Sequence, residues 1–213
     1  MSHELASYID VTKNFYEQNA TQYAANTAGM ADAEWMTRFS ELLPTGGRIL
    51  DVGCAAGRDS KWFVEHGFDV VGIDIAPKFL AMARERVTGV DFQEMNVADL
   101  DFPDASFDGV WCSCVLIHLN KNDARVAVSE MLRVLKPDGI LYLLVKAGET
   151  EGFEADQRYG GAQKYSSYFT EEELRDFLGT AKVLNFTAVD KPVDTYRAPD
   201  RIFLLARRGA AAG

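Results

Sequence analysis

The residues with the clearest chemical use lie where a predicted strand passes into a glycine-containing turn and then into a helix. The strand Arg48–Val52 is followed by Gly53-Cys54-Ala55-Ala56-Gly57 and by a helical run at Lys61–Glu65. Small residues at the end of a strand let a ligand approach the backbone closely, and the next helix offers free N–H groups. The second strand ends in Asp74, whose carboxylate can accept both hydroxyls of a ribose. This pattern predicts a site for a nucleoside-containing ligand.

The spacing of the small residues argues against one cofactor class that uses such a turn. A dinucleotide site needs Gly-x-Gly-x-x-Gly, in which the third glycine lets the helix pack tightly against the strand. Counted from Gly53, the second and third positions are Ala55 and Arg58. Because Arg58 cannot replace the third glycine, a nicotinamide cofactor is not expected. Gly53 and Gly57 alone would be equally consistent with a turn that binds nothing, and it is Asp74 that favours a ligand.

The elements that must position these residues alternate regularly along the chain. Pro77 is expected to begin a helix, and Thr170 with Glu173 forms a capping-box pattern before another. A loop carrying Pro192 and Pro199 precedes the last strand. Apolar strands separated by helices predict a doubly wound, mostly parallel α/β sheet with helices on both faces. The predicted strands are seven: Arg48–Val52, Asp69–Ile73, Val90–Gln93, Phe107–Cys112, Ile140–Val145, Val183–Val189 and Arg201–Arg207.

Six motifs in order resemble those of class I S-adenosylmethionine-dependent methyltransferases, over about residues 40–145. The resemblance is to small bacterial enzymes of the common methyltransferase-domain type. It implies a Rossmann-like sheet of order 3-2-1-4-5-7-6 with the seventh strand antiparallel, and S-adenosyl-L-methionine as cofactor with S-adenosyl-L-homocysteine as product. The motifs are Ile49–Gly57, Val71–Asp74, Asn96–Leu100 with Phe102-Pro103, Ser106–Asp108, Leu116–Leu119 and Leu132–Gly139.

The same resemblance implies roles for individual residues around the methionine end of the cofactor. The turn from Gly53 through Cys54 and Ala55 to Gly57 would lie against it, with Asp51 and Arg58 beside it. The carbonyl of Cys112 would accept a hydrogen bond from the cofactor's ammonium group. Ala55 stands where the family often has glycine, a change that a negative φ would accommodate.

At the adenosine end, the resemblance assigns Asp74 to the ribose hydroxyls and Ile75 to one face of the adenine. Asn96 would meet the adenine amino group, and the backbone N–H of Val97 would face a ring nitrogen. Leu116 would close over the cofactor. Asn96 stands where the family commonly has Asp, and its amide oxygen can still accept a hydrogen bond.

The acceptor side is expected to lie between an N-terminal helical lid and an insertion. Tyr16 and Tyr23 are the predicted lid residues, with Tyr23 against the cofactor, although a core stripe would explain most of the N-terminal aromatics. His118 is the candidate catalytic residue, and a satisfied structural histidine is an equal alternative. The remaining substrate candidates come from the insertion, whose alternative reading is an ordinary mobile loop: Lys146, Arg158, Tyr165 and Tyr168.

One domain is expected for the 213 residues, in four parts. These are a lid at 1–45, a cofactor-binding core at 46–145, an acceptor-side insertion at 146–169, and a C-terminal helix and strand hairpin at 170–207. The net charge of −10 and the lack of a basic patch argue against nucleic acid, and no apolar run is long enough to span a membrane. Three cysteines without scaffold spacing suit the cytoplasm, and Cys112-x-Cys114 is too short for zinc. No metal is expected, and the protein should be a monomer or homodimer.

These observations lead to the hypothesis of a methyltransferase acting on an O, N or S atom of a small-molecule acceptor. Two alternatives stay open at this point. One is an RNA-modifying methyltransferase, against which the acidic balance counts. The other is a catalytically silent S-adenosylmethionine-binding partner protein.

Overall fold

Two sheets hold the strands of this protein, for which the computed structural model describes residues 7–190 and 200–209. The larger sheet has seven strands in the order β3-β2-β1-β4-β5-β9-β8, and β6 and β7 form a separate hairpin. The strands within the described residues are β1 Arg48–Val52, β2 Asp69–Asp74, β3 Val90–Glu94, β4 Phe107–Ser113, β5 Leu135–Lys146, β6 Glu151–Asp156, β7 Ala162–Ser167, β8 Lys182–Asp190 and β9 Asp200–Arg207.

The topology of the large sheet confirms the doubly wound fold predicted from the sequence. Strands β3, β2, β1, β4 and β5 pair in parallel, whereas β9 is antiparallel to β5 and to β8. The predicted sixth and seventh strands are β8 and β9. In the register of the sheet, Val52 lies opposite both Ile73 and Cys112. The carboxyl ends of β1, β2 and β4 therefore meet at one edge.

The helices begin where local chemistry satisfies their first N–H groups. Ser7 and Asp10 form a capping box on the first helix, and the predicted box of Thr170 and Glu173 is confirmed on the last. Pro77 begins its helix as predicted. The helices in the described ranges are α1 Tyr8–Thr27, α2 Ala33–Ser40, α3 Arg58–Glu65, α4 Pro77–Arg86, α5 Lys121–Val134 and α6 Glu171–Leu178.

Three local features differ from the sequence prediction by more than one residue at the end of an element. The helix after the glycine turn begins at Arg58 rather than Lys61, directly after Gly57. Strand β5 begins at Leu135 rather than Ile140, because Phe107 of β4 pairs with Leu135 before a register shift. The hairpin β6–β7 was not predicted, because its strands are polar and much of their packing comes from α1 and from the turn after β4. The predicted loop with Pro192 and Pro199 lies outside the described residues.

Apolar side chains cover the large sheet on both faces. On one face, α5 and α6 pack over Leu50, Val110 and Leu143. On the other face, α2 and α3 pack over Trp111 and Tyr142, whose rings stack at 3.7 Å. No helix within residues 7–190 and 200–209 combines the length and the apolar character that a membrane span requires. Helix α1 lies over the carboxyl edge of the sheet, which these packed helices leave uncovered.

Candidate active site

The turn between β1 and α3 is held in a left-handed backbone conformation at three positions. Gly53, Ala55 and Gly57 have φ values of +66°, +46° and +78°. At Gly53 a Cβ would lie 2.2 Å from Cγ2 of Val115, so any side chain there would collide with the loop after β4. Glycine is required at this position both by its backbone conformation and by the close approach of its neighbour.

Ala55 corrects one expectation from the sequence. Its φ is +46°, so the negative φ that would accommodate alanine is not the conformation of the turn. A left-handed alanine costs about 1–2 kcal/mol. The backbone N–H of Ala55 donates to Oδ2 of Asp74 at 3.0 Å, and this charge-assisted hydrogen bond offsets part of the strain.

Asp74 occupies the tip of β2 with both carboxylate oxygens already held by the backbone. Oδ2 accepts from Ala55 N, and Oδ1 accepts from Ala76 N at 2.9 Å. Burial raises the pKa of the Asp74 carboxyl to about 6, although these backbone N–H groups oppose the rise. The backbone N–H of Ile75 is a third donor to this carboxylate, which keeps at least one of its four lone pairs to accept a hydroxyl group from a ligand.

A cluster of charged and polar side chains lies at the start of α3. The guanidinium of Arg58 donates to both oxygens of Asp59, at 2.5 and 2.9 Å, and to the carbonyl of Thr27 at the end of α1. Asp51 is 2% exposed and accepts from Oγ of Ser60 at 2.5 Å. Burial, and then the charge of Asp59, raise the pKa of the Asp51 carboxyl well above its usual range. Two carboxylates and one guanidinium therefore lie together at this end of the turn.

Beneath α1 lies a cavity that is open to solvent, which we call the α1 cavity. It extends from the tip of β2 to the loop after β4, and its walls are mostly apolar. Its lining includes nine of the predicted residues: Tyr16, Tyr23, Gly53, Ala55, Asp74, Ile75, Asn96, Val97 and His118. The adenosine candidates and the acceptor candidates Tyr16 and His118 are thus brought together.

A second cavity, the turn cavity, lies on the other side of the β1–α3 turn. Residues shared with the α1 cavity are Tyr23, Gly53, Ala55 and Ser113, so the two are adjacent across Gly53. Its predicted members are Tyr23, Asp51, Gly53, Cys54, Ala55, Gly57 and Arg58. The residues predicted for the methionine end and those predicted for the adenosine end therefore face two adjoining spaces.

Polar contacts among α1, the turn after β4 and the hairpin enclose one side of the α1 cavity. The imidazole of His118 has Nε2 2.6 Å from the hydroxyl of Tyr16 and Nδ1 2.9 Å from the carbonyl oxygen of Tyr165. Tyr165 N donates to Oγ1 of Thr12 at 3.0 Å. Burial, and then the charge of Lys164, lower the pKa of His118 to about 3. His118 is therefore neutral at physiological pH.

Several predicted site residues lie outside both cavities. Cys112 and Leu116 are 1% and 0% exposed and belong to the core. Their contacts with the cofactor stay predictions, through the backbone carbonyl for Cys112 and through a change of side-chain position for Leu116. Lys146 contacts Glu154 and the ring of Tyr168. Arg158 forms an ion pair with Asp156. Tyr165 reaches the site only through its backbone. Of the insertion candidates, the hairpin brings none of the four side chains to these two cavities.

Other lining residues were missed by the sequence reading. Ser113, Cys114 and Val115 face the α1 cavity, one to three residues after Cys112. Strand β4 continues to Ser113, so the predicted strand ended one residue early. Because β1 and β4 end at the same edge of the sheet, the residues that follow β4 could have been predicted to line the site. Thr12 and Phe79 also line this cavity, and no local pattern marked them.

Comparison of the sequence with known proteins points to the same kind of site. A family model described as a methyltransferase domain matches residues 50–143. A ubiquinone biosynthesis O-methyltransferase from Xanthomonas axonopodis pv. citri is 30% identical over 145 residues, covering 66% of this chain and 59% of that protein. A demethylmenaquinone methyltransferase from Symbiobacterium thermophilum is 27% identical, covering 92% of this chain and 82% of that protein. Residues 50–143, the span that the family model matches, belong to the class I S-adenosylmethionine-dependent methyltransferase family.

A solved structure agrees with this family fold. The Burkholderia thailandensis 1,6-didemethyltoxoflavin-N1-methyltransferase, with bound 1,6-didemethyltoxoflavin and S-adenosylhomocysteine, superposes with a TM-score of 0.71 at 22% identity, covering 98% of this chain and 93% of that chain. The chain spans 32 to 59% of the length of the first four curated relatives that it matches. The family and the cofactor class predicted from the sequence are confirmed.

The residues present fit the cofactor of this methyltransferase family. Asp74 can still accept a hydrogen bond beside apolar walls that include Ile75 and Val97, which suits a ribose and a flat base. In the turn cavity, the guanidinium of Arg58 and the carboxyl oxygens of Asp51 supply polar partners for an amino-acid end. Gly53, between the two spaces, has no side chain to separate them.

Proposed function

We propose that this chain transfers the methyl group of S-adenosylmethionine to an O, N or S atom of a small-molecule acceptor. The observation that carries the proposal is the pair of adjoining cavities on either side of Gly53. One has Asp74 and apolar walls, and the other has Asp51 with Arg58. When bound, the cofactor would supply an electrophilic methyl group on a sulfonium centre.

The chain's own residues would mainly bind, orient and exclude water. Asp74 would accept the ribose hydroxyls, while Ile75, Asn96 and Val97 would contact the adenine. Asp51 and Arg58 would meet the methionine end. Alignment of two reactants in this way is worth on the order of 7–11 kcal/mol in favourable cases. In-line displacement then needs an acceptor held in the remaining part of the α1 cavity.

Helix α1 would keep water away from that space. Its residue Glu17 accepts from the backbone N–H of Lys78 near the start of α4, and Lys13 forms an ion pair with Glu94 at the end of β3. Thr27 at its other end accepts from Arg58. These contacts tie α1 to the elements that surround the cavities, and they support the proposed lid function of the N-terminal part.

A small acceptor is supported by the relatives as well as by the cavity. The Xanthomonas protein is named for ubiquinone biosynthesis, and the Burkholderia structure contains 1,6-didemethyltoxoflavin. The α1 cavity is mostly apolar with a few polar groups, as small-ligand sites usually are. An RNA-modifying enzyme and a silent cofactor-binding protein have no specific observation in their favour here.

Four further sequence predictions stay proposals of the same kind. They are the cytoplasmic location, the monomeric or homodimeric state, the absence of a nucleic-acid partner, and the division of the chain at residues 45, 145 and 169. None of them is needed for the cofactor experiment below.

The proposal is tested by titrating adenosylhomocysteine into the wild type and the Asp74→Ala variant in a calorimeter. We expect the variant to bind more than tenfold more weakly, because it loses a charged acceptor for two hydroxyls. Asp69→Ala is the matched control, since Asp69 is an exposed carboxylate at the opposite end of β2. Equal affinity for all three proteins would contradict the assignment of Asp74.

Turnover is tested separately with labelled S-adenosylmethionine and a panel of hydroxyl, amine and thiol metabolites. A mass-spectrometric scan of ligands that co-purify with the protein guides the choice of panel. We expect methyl transfer to at least one small molecule. Tight adenosylhomocysteine binding with no transfer to the panel would support the silent binder, and transfer to bulk tRNA would support the RNA-modifying alternative.

A further inference from the structure

Three hydrogen-bonding groups in line give the polar wall of the α1 cavity a fixed direction. The carbonyl oxygen of Tyr165 lies 2.9 Å from Nδ1 of His118, and Nε2 of His118 lies 2.6 Å from the hydroxyl of Tyr16. Tyr16 and His118 both line the cavity. The three residues come from α1, from the turn Leu116–His118 and from β7.

Each step of this chain follows from what the groups can donate. A carbonyl oxygen can only accept, so Nδ1 of His118 must carry the proton. In a neutral imidazole with Nδ1–H, Nε2 has only a lone pair and must accept. The hydroxyl of Tyr16 must therefore donate its proton to Nε2. What the oxygen of Tyr16 can still offer to a ligand is a lone pair, and never a proton.

Both titratable groups keep these forms near neutral pH. Burial, and then Lys164, lower the pKa of His118 to about 3, and Lys146 acts in the same direction against Glu154. Burial raises the pKa of the Tyr16 hydroxyl well above its ordinary value, and nearby Tyr23, Cys114 and Asp74 act in the same direction. An imidazolium and a phenolate are thus both disfavoured, so the direction of the chain is fixed.

The backbone of Tyr165 is itself held in place from α1. Tyr165 N donates to Oγ1 of Thr12, one helical turn before Tyr16. Thr12 is 2% exposed. Thr12 and Tyr16 share a face of α1. Through Thr12 the helix orients the carbonyl of Tyr165, which sets the tautomer of His118, and through Tyr16 it supplies the hydroxyl that donates to Nε2 of His118.

The rest of the cavity wall is close to neutral. Among its described lining residues, Asp74 is the one that carries a full charge at neutral pH, and it belongs to the ribose position. A methyl acceptor that carries a carboxylate would find no cation among these lining residues. A methyl acceptor that carries an ammonium group would find no carboxylate there other than Asp74. The remaining wall combines apolar and hydroxyl groups.

We infer that Tyr16 is a specificity-determining residue, which presents a hydrogen-bond acceptor and selects a neutral small molecule that carries a hydrogen-bond donor, such as a phenolic hydroxyl. The inference rests on the proposed function and names its substrate class. An O–H group that donates to Tyr16 keeps its own oxygen lone pairs for other partners. His118 acts through Tyr16 and is a positioning residue, because both of its ring nitrogens are already engaged.

The tautomer of His118 is tested directly on the wild-type protein. Long-range proton–nitrogen spectra of protein with ¹⁵N-labelled histidine distinguish Nδ1–H, Nε2–H and doubly protonated rings. We expect one ring, assigned by its loss in His118→Gln, to be neutral and protonated on Nδ1 throughout pH 5–8. An Nε2–H tautomer, or a doubly protonated ring at pH 6, would overturn the inference.

Selectivity is tested by binding with saturating adenosylhomocysteine. Phenol, catechol, 1-naphthol and 2-naphthol are each compared with the corresponding methyl ether, which has lost the proton that Tyr16 should accept. We expect at least one phenol to bind tenfold or more tightly than its ether. A panel in which no phenol is preferred by the wild type, including one in which none binds, counts against the inference.

Variants separate a specific role from a structural one. In His118→Phe the hydroxyl of Tyr16 is released to donate, so the phenol preference should fall at least fivefold. His118→Gln keeps an amide oxygen that can accept near the Nε2 position, and it should retain most of the preference. Tyr16→Phe should bring the ratio close to one. Because each result is a ratio of two ligands on one protein, a reduced folded fraction cancels.

The outcomes also distinguish this inference from the proposed function. If the wild type fails to bind adenosylhomocysteine, the proposed function fails. If adenosylhomocysteine binds but phenols and ethers bind equally, only the role of Tyr16 fails. An unchanged phenol-to-ether ratio in both His118→Phe and Tyr16→Phe would likewise refute it.

Discussion

The carboxylate of Asp74 accepts a hydrogen bond from the backbone N–H of Ala55 at 3.0 Å, and this contact joins the tip of β2 to the turn after β1. The same carboxylate therefore shapes the glycine turn and faces the cavity beneath α1. A change in the charge of Asp74 should alter both features at once.

The affinity for adenosylhomocysteine should fall in mild acid. Burial raises the pKa of Asp74 to about 6, so below that pH the free protein carries a neutral carboxyl that is a weaker acceptor for the ribose. We expect the affinity to fall by up to tenfold per pH unit below pH 6. Calorimetry at pH 5, 6, 7 and 8 measures this. The Asp74→Asn variant should bind adenosylhomocysteine weakly at every pH. If the affinity of that variant still falls below pH 6, a group other than Asp74 causes the pH dependence.

Replacing Gly53 with alanine should damage the site more than its backbone strain alone. The added Cβ would lie 2.2 Å from Val115, in addition to a φ of +66°. Gly89→Ala is the matched control, since Gly89 has a φ of +80° and nothing within 4 Å of the added Cβ. We expect Gly53→Ala to lose more than tenfold in adenosylhomocysteine affinity, and Gly89→Ala to lose stability alone.

Relief of the collision provides the internal check on that result. Adding Val115→Ala to Gly53→Ala removes the Cγ2 atom, so part of the affinity should return. If Gly53→Ala and Gly89→Ala behave alike in both unfolding and binding, the close approach to Val115 has no functional weight.

Replacing the titratable carboxyl of Asp51 with an amide should stabilise the ligand-free protein near neutral pH while it weakens cofactor binding. Burial raises the pKa of Asp51, so the folded state holds a proton that the unfolded state releases above about pH 4. Stability from this group is complete at low pH and declines as pH rises toward the folded pKa, by at most about 1.4 kcal/mol per unit. Denaturant unfolding of Asp51→Asn should show a smaller decline from pH 5 to 8 than the wild type. Asp101→Asn, at an exposed position, should keep the wild-type slope.

His118 should make the folded protein sensitive to acid. Its pKa of about 3 lies below the ordinary value near 6.5, so between these limits the unfolded state binds the additional proton. The contribution is complete above pH 6.5 and is lost as pH falls. We expect His118→Gln to show a shallower loss of unfolding free energy from pH 6.5 to 4.5, with the exposed His66→Gln as control. Parallel curves for wild type and His118→Gln would refute this role.

Much of the architecture followed from the sequence because it depends on short-range patterns. Apolar runs and the residues between them define β1, β2 and β4, and parallel strands necessarily bring their carboxyl ends to one edge. The turn at Gly53–Gly57 and the carboxylate of Asp74 could therefore be assigned to one site from the sequence alone. Arg58 excluded the dinucleotide alternative for an equally local reason.

The tertiary structure alone decided how the other side of the site is built. Tyr16, His118 and Tyr165 are separated by up to about 150 residues, counting from Tyr16 to Tyr165, and no periodicity links a helix face to one carbonyl of a polar hairpin. The left-handed φ of Ala55 and the position of Ser113 likewise arise from contacts between elements. Local patterns determine which elements form, whereas the direction of a hydrogen-bond chain depends on distances between atoms that only packing brings within reach.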